Sequence, residues 1–126
     1  MRDNQTIEIL TKIADDYKQK YNLLTRVDIA SEGFYCYYQT GKDYIAYSLQ
    51  KVEKFNGGTA SLKQYIGALL HELKHAIDYN TDKGAFEKEL EKCNIALYED
   101  SKEYHNIQPF EIRANEFARQ ELEKWL

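Results

Sequence analysis

The sequence of 126 residues contains no apolar run of about 18 residues, which is the length a membrane-spanning helix needs. It also has no excess of basic residues, because 17 Lys and Arg stand against 21 Asp and Glu, for a formal net charge of -4. This acidic balance argues against direct binding to a nucleic-acid backbone. The first five residues are polar, so the sequence predicts no signal peptide and a cytoplasmic location.

Cysteine and proline are scarce as well. The two cysteines, Cys36 and Cys93, lie far apart and lack the C-x-x-C spacing of a zinc or redox site, so we interpret them as reduced, partly buried thiols. No repeat, linker or low-complexity stretch divides the chain. Its length is typical of one domain, and we therefore predict a single domain over residues 1–126.

The hydrophobic pattern predicts a helix, then a small sheet, then three helices. The expected helices cover residues 5–21, 61–79, 85–104 and 109–125, with Thr59 or Ser61 as a candidate N-cap and Pro109 opening the last helix. Three strands are expected at 25–30, 34–39 and 43–49. Because short breaks containing Gly separate them, we predict a small three-stranded antiparallel sheet and an α+β fold.

The main chemical signal is the run His71-Glu72-Leu73-Lys74-His75 in the predicted helix 61–79. Residues four apart differ by about 40° around a helix axis, so the two imidazoles can reach one metal ion. Glu72 projects to the flank, where it can accept a proton from a water molecule that the metal activates. The pattern therefore predicts a metal site with Glu72 as its general base.

A helical wheel of the same segment separates this site from the core. The apolar residues form one stripe, which comprises Leu62, Ile66, Leu69, Leu70, Leu73 and Ile77. His71 and His75 fall on the opposite side together with Gly67 and Asp78. Gly67 lies one turn before His71 and leaves open space there, although glycine lowers helix propensity. This arrangement is consistent with a cleft beside the metal site.

A catalytic zinc usually takes a third protein ligand, and Glu111 is the favoured candidate. On a helix that begins at Pro109, Glu111 shares a face with Ala114 and Ala118, whose small side chains permit close approach to another helix. The first turn also favours an ionised carboxylate through the helix dipole. Asp78 and His105 remain alternatives. We favour Asp78 instead as the acceptor of a histidine N–H, which would orient that ring.

Two linked motifs, HELKH and the later Glu-Ile-Arg-Ala-Asn-Glu-Phe-Ala at 111–118, resemble the ImmA/IrrE family of bacterial zinc metallopeptidases. The resemblance implies a minimal zincin-like domain with Zn²⁺ held by His71, His75 and Glu111, and with Glu72 as general base. Members of that family are often encoded on phages or other mobile elements and cleave a helix-turn-helix repressor. By this resemblance we expect a site-specific peptidase that acts on a regulatory protein.

The main alternative is a non-catalytic module that binds a partner and uses zinc structurally or not at all. The presence of Glu72 favours the enzyme, because a purely structural site needs no general base. For the enzyme we expect strand 43–49 to offer an edge to an extended peptide. Tyr44 and Tyr47 are the nearest candidates to stabilise an oxyanion, although packing in the sheet is the simpler interpretation of both. The sequence predicts no oligomeric state.

Overall fold

The computed structural model describes residues 2–97 and 109–126, and within them the architecture is α+β, as predicted. The elements in chain order are α1 (Arg2–Lys20), β1 (Arg26–Ala30), β2 (Cys36–Gln39), β3 (Tyr44–Ser48), α2 (Leu49–Phe55), α3 (Leu62–Thr81), α4 (Lys83–Leu97), α5 (Pro109–Leu122) and a final 3-10 helix (Glu123–Trp125). The predicted extension of the third helix over 98–104 lies outside the described residues. In the described part of the chain, no helix combines the length and apolarity needed to cross a membrane.

The sheet is mixed, so the predicted antiparallel meander was wrong. The strand order is β1-β3-β2, with β1 parallel to β3 and β2 antiparallel to it. The sequence suggested a hairpin turn at 31–33. Residues 31–35 instead cross the end of β3. The amide of Ser48 donates to the carbonyl of Tyr35 at 2.8 Å and that of Gln50 donates to Ser31 at 3.0 Å. These bonds hold the crossing segment against the start of α2.

A short helix that the sequence did not predict, α2, follows β3 directly. The Ser48 side chain caps it by accepting a hydrogen bond from the amide of Lys51 at 3.2 Å. Leu49 and Val52 then enter the core, with 1% and 4% exposure. No loop separates β3 from α2, and the short helix places only Leu49 and Val52 in the core, which is too few apolar residues to show a helical period.

Helix α3 lies at the centre of the fold. Ser61 is its N-cap and forms a capping box with Gln64, as expected for one of the two candidate caps. The predicted core stripe is confirmed except for Leu62, which is 40% exposed because it lies in the first turn, before the helix enters the core. The main core joins α3 to α1 and the sheet and includes Leu10, Ile13, Tyr17, Ile45, Tyr47, Ile66, Leu69, Leu70 and Leu73.

A second, smaller apolar cluster packs at the C-terminal half of α3. It consists of Tyr79, Phe86 and Phe110, and Tyr38 and Leu90 pack against it. Phe86 comes from α4 and Phe110 from the first turn of α5, so the cluster ties both helices to α3. This packing fixes the start of α5 beside the histidines of α3.

Candidate metal centre

Three side-chain atoms converge between α3 and α5. Glu111 Oε1 lies 2.7 Å from His75 Nε2 and 3.4 Å from His71 Nε2, and the two nitrogens are 3.1 Å apart. Ligand atoms around a tetrahedral zinc with bonds of about 2.0–2.1 Å are separated by roughly 3.3 Å. The three atoms are therefore close enough together to bind one metal ion.

The helices bring these residues together as the sequence suggested. His71 and His75 lie on successive turns of α3, and Glu111 lies in the first turn of α5. Ala114 and Ala118 are 0% and 8% exposed, and their small side chains allow α5 to pack closely on α3. Glu111 is itself 7% exposed, so its carboxylate lies at the interface of the two helices and not on the surface.

Asn115, for which the sequence suggested no role, orients one of the histidines. Its Oδ1 lies 2.8 Å from His71 Nδ1, and because an amide oxygen only accepts, His71 donates from Nδ1. Nε2 faces Glu111 and is therefore the nitrogen of His71 that could bind a metal when it carries no proton. Asn115 follows Glu111 by four residues, so both lie on one face of α5. This helical spacing was the sequence signal that could have placed Asn115 at the site.

His75 is held by burial and aromatic packing. It is 6% exposed and lies against the rings of Phe110 and Phe86, with centroids at 5.6 and 6.1 Å. Its Nδ1 is buried and finds no hydrogen-bond partner among residues 2–97 and 109–126. An ordinary solvated histidine is therefore excluded at this position.

Asp78 does not accept a hydrogen bond from either histidine, so that prediction was wrong. Its Oδ1 lies 2.9 Å from Lys74 Nζ and its Oδ2 accepts from Arg113 Nε at 3.0 Å. Arg113 also donates to Glu89 on α4. Asp78 is engaged by these two cations because it lies nearly two turns beyond His71, where α3 faces Arg113 of α5. The other alternative ligand, His105, lies outside the described residues.

Glu72 is buried beside the converging ligands. It is 8% exposed, and Cys36 Sγ donates to its Oε2 at 3.8 Å. Burial raises the pKa of Glu72 to about 7, with an opposing contribution from His71 and a reinforcing one from Glu111. The potential ligand atoms of His71, Glu72 and His75 lie within 4.8 Å of one another, so this group could hold a metal ion. Glu111 approaches the two nitrogens more closely, which favours it over Glu72 as the third ligand.

The protonation of the ligands also follows from this packing. Burial lowers the pKa of His75, despite its contact with Glu111. The pKa of His71 is raised instead: burial lowers it, but the hydrogen bond to Glu111 and the charges of Glu72 and Glu111 outweigh burial. Burial alone would raise the pKa of Glu111, but its hydrogen bonds to His71 and His75 outweigh that and lower it. A neutral imidazole and an ionised carboxylate are the forms that bind a metal.

Cys36 is a second residue near the site that the sequence did not connect with it. It is a free, partly buried thiol, as predicted, and it begins β2. Burial, followed by the charge of Glu72, raises its pKa, so the thiol stays protonated and donates to Glu72. The side chain of Cys93 lies outside what the structure describes.

The centre opens on two cavities that share Cys36, His71, Glu72 and Glu111. The smaller, of about 390 Å³, runs along β2 and over the aromatic pair Phe86 and Phe110. The larger, of about 830 Å³, lies between α2, α3 and α5. A molecule longer than one residue can therefore extend from the centre in two directions.

The remaining expectations for substrate binding need correction. Strand β3 is paired on both sides and offers no free edge; β2 is an edge strand of the described sheet and lines the smaller cavity. Tyr47 is fully buried and donates to the carbonyl of Tyr65 at 2.7 Å, and Tyr44 donates to Asp28 at 2.8 Å. Neither tyrosine lines the two cavities, so both hydroxyls serve packing of the fold.

Taken together, two imidazoles and one carboxylate converge at a point bordered by a buried glutamate and open to two cavities. Such a group can bind a cation and keep one side accessible to another molecule. Comparisons with known protein families, with curated proteins and with solved structures find no match for this chain.

Proposed function

We propose that this protein is a zinc-dependent metallopeptidase, in which His71, His75 and Glu111 bind Zn²⁺ and Glu72 is the general base. The observation that carries the proposal is the convergence of His71 Nε2, His75 Nε2 and Glu111 Oε1 within 2.7 to 3.4 Å of one another. Two imidazoles and a carboxylate form the ligand set of a catalytic zinc, which keeps a further position for water or substrate.

A bound Zn²⁺ would supply Lewis-acid polarisation of the scissile carbonyl and of the attacking water. Glu72 would then accept a proton from that water and donate it to the nitrogen of the leaving amine. Its place next to His71 on α3, at the junction of both cavities, supports this role. Among the described residues, Cys36 is the one side chain that donates a hydrogen bond to Glu72, and it contacts Oε2 alone. The other carboxylate oxygen, Oε1, would therefore be available to accept the proton.

The substrate we propose is an extended segment of a protein. Edge strand β2 lines the smaller cavity from Cys36 to Gln39, so an added peptide strand could pair with it directly over α3. Phe86, Leu90 and Phe110 form an apolar wall in that cavity and would accommodate a large apolar side chain. The resemblance to ImmA/IrrE peptidases, and with it a zincin-like fold, suggests a regulatory protein such as a phage or mobile-element repressor.

Cleavage of a defined peptide library tests the proposal. The zinc-loaded protein and its Glu72→Gln variant would be incubated with the same synthetic peptides, and new termini identified by mass spectrometry. We expect cleavage by the wild type and a loss of at least about 1,000-fold in the variant, because amide replaces the proton acceptor. The variant should retain one zinc per chain, measured by elemental analysis.

Two results would contradict parts of this proposal. Equal turnover by wild type and Glu72→Gln would remove Glu72 from the mechanism. Stoichiometric zinc in Glu111→Ala would exclude Glu111 as a ligand, and Glu116→Ala is the matched control because Glu116 lies on the exposed side of α5. Full zinc binding with no cleavage of any peptide would favour the alternative function, a non-catalytic zinc-binding module.

A further inference from the structure

The larger cavity contains a glycine that the fold itself does not require. Gly67 lies inside α3, one turn before His71, and lines this cavity. A Cβ built at Gly67 would meet no atom within 4 Å beyond its own helix. Because alanine is the better helix former and would fit without a clash, packing and backbone geometry give no reason for glycine here. The open space that it leaves is available to a ligand.

Away from the metal centre, the charged groups that line the larger cavity have one sign. Apart from the shared residues of the metal centre, the only ionisable side chains that line it in the described part of the chain are Lys51 and Arg119. They come from opposite walls, α2 and α5, in a protein whose formal net charge is -4. Glu72 and Glu111 also line the cavity, but at the metal centre. At the end away from that centre, the two positive charges favour an acidic ligand and disfavour a basic one.

In the part of the chain that the structure describes, Lys51 forms no ion pair and Arg119 forms one long, exposed one. Among residues 2–97 and 109–126 no carboxylate forms an ion pair with Lys51, which is half-buried. Arg119 has a 76% exposed side chain, and its one ion pair among the described residues is with Glu116 at 3.9 Å, where solvent screens it. The same cavity is also lined by the apolar residues Val52, Phe55, Ala68 and Ala118.

We propose that this cavity binds an acidic segment of the peptide substrate, with Lys51 and Arg119 pairing with its carboxylates and Gly67 making room for its chain. The inference rests on the proposed peptidase function, since the cavity joins the metal centre through His71, Glu72 and Glu111. It adds the substrate class: the peptide has an acidic residue on the side of the scissile bond that lies towards α2.

Direct binding to the zinc-loaded Glu72→Gln protein tests this inference without turnover. The probes are fluorescein-labelled dodecapeptides of Ala, Ser and Phe, in which a pair of Asp residues is moved through every register. Matched panels carry Asn or Lys pairs at the same positions. By fluorescence anisotropy we expect the best Asp peptide to bind roughly tenfold more tightly than its Lys counterpart.

Charge reversal provides the matched control. In the Glu72→Gln background, Lys51→Glu with Arg119→Glu should reverse the preference, so that the Lys panel binds more tightly. Lys54→Glu with Lys63→Glu changes the net charge equally at two positions that do not line the cavity, and the Asp preference should remain. Gly67→Ala should raise Tm while it weakens binding of the Asp panel, a combination that damage to the fold would not produce.

The outcomes separate this inference from the proposed function. Binding without a charge preference, or a preference that the Lys51 and Arg119 reversal leaves unchanged, would overturn the acidic-substrate inference and leave the peptidase proposal standing. Unchanged peptide binding in Gly67→Ala would overturn the role of the open space. If no panel binds and the library shows no cleavage that depends on Glu72, both proposals fail.

Discussion

His71 has both ring nitrogens engaged, and each engagement depends on a different residue of α5. Nδ1 faces Asn115 at 2.8 Å, and Nε2 faces Glu111 at 3.4 Å. Glu111 and Asn115 are four residues apart and lie on one face of α5. That face therefore supplies both a candidate metal ligand, Glu111, and the side chain that orients His71, Asn115. The position of α5 therefore determines which nitrogen of His71 is available to a metal.

Replacing Asn115 with Leu should weaken zinc binding by about 10–100-fold, because His71 loses the acceptor that fixes its tautomer and ring orientation. Asn115→Asp keeps an acceptor oxygen and should retain most of the affinity. Gln120→Leu makes the same polar-to-apolar change at an exposed site on α5 and serves as control. Zinc affinity would be measured by competition with a chromophoric chelator. Wild-type affinity in Asn115→Leu would exclude the orienting role.

The residues that converge at the candidate metal centre could be predicted from the sequence, but their surroundings could not. His71, His75 and Glu111 follow from helical spacing within single segments, which is local information. The contact of Cys36 with Glu72 depends instead on how β2 is placed over α3. Strand placement results from pairing between distant segments, and no local pattern of residues near Cys36 indicates it.

At the scale of elements, an ion-pair network joins the three helices around the centre. Arg113 of α5 donates to Asp78 of α3 at 3.0 Å and to Glu89 of α4 at 3.0 Å, and Lys74 also pairs with Asp78. The side chain of Asp78 is 14% exposed, so these bonds are partly shielded from water. This network and the smaller apolar cluster of Tyr79, Phe86 and Phe110 both hold α5 against α3.

We expect Asp78→Asn to lower the free energy of unfolding by about 1–2 kcal/mol, since two charge-assisted contacts are weakened at a partly buried site. Zinc affinity should stay close to that of the wild type, because Asp78 contacts cations and neither histidine. Asp16→Asn, on the exposed face of α1, is the control for charge. Urea denaturation and zinc titration would measure the two properties. A large loss of zinc affinity with unchanged stability would restore Asp78 to the histidine-orienting role.

Element type was easier to predict than element arrangement. The long amphipathic helices were expected because their apolar spacing is sustained over several turns. The strands were also expected, but strand order was not, since the same alternating pattern suits either neighbour. Helix α2 was missed because seven residues are too few to establish a helical period next to an apolar strand.

At the scale of the whole molecule, the first helix contacts the C-terminal residues of the chain. Tyr17 of α1 donates to Glu121 of α5 at 2.8 Å, and Trp125 donates to the Tyr17 hydroxyl at 3.0 Å. Lys124 lies 2.7 Å from the second oxygen of Glu121. Burial alone would raise the pKa of Glu121, but the hydrogen bonds from Lys124 and Tyr17 outweigh it and lower the pKa. This contact fixes the C-terminal turn to the first helix.

A lowered pKa in the folded state means that ionised Glu121 stabilises the fold above its unfolded pKa, near about 4.3, and that this contribution is lost as pH falls through the folded value. Glu121→Gln should therefore reduce the free energy of unfolding by about 1 kcal/mol at pH about 7 and by less at pH about 3. Urea denaturation at both pH values measures this, with Glu123→Gln as the control. An equal difference at both pH values would show that ionisation of Glu121 has no part in the effect.

The β1-β3-β2 order also constrains how this chain reaches its native state. Strands β2 and β3 are joined by four residues and can form a hairpin from local contacts alone. Strand β1 must instead pair in parallel with β3 after residues 31–35 have crossed its end, where Ser48 and Gln50 hold the crossing segment. Loop closure of this kind is slower than hairpin formation. We therefore expect the strand that lines the candidate active site to be in place before the first strand of the chain completes the sheet.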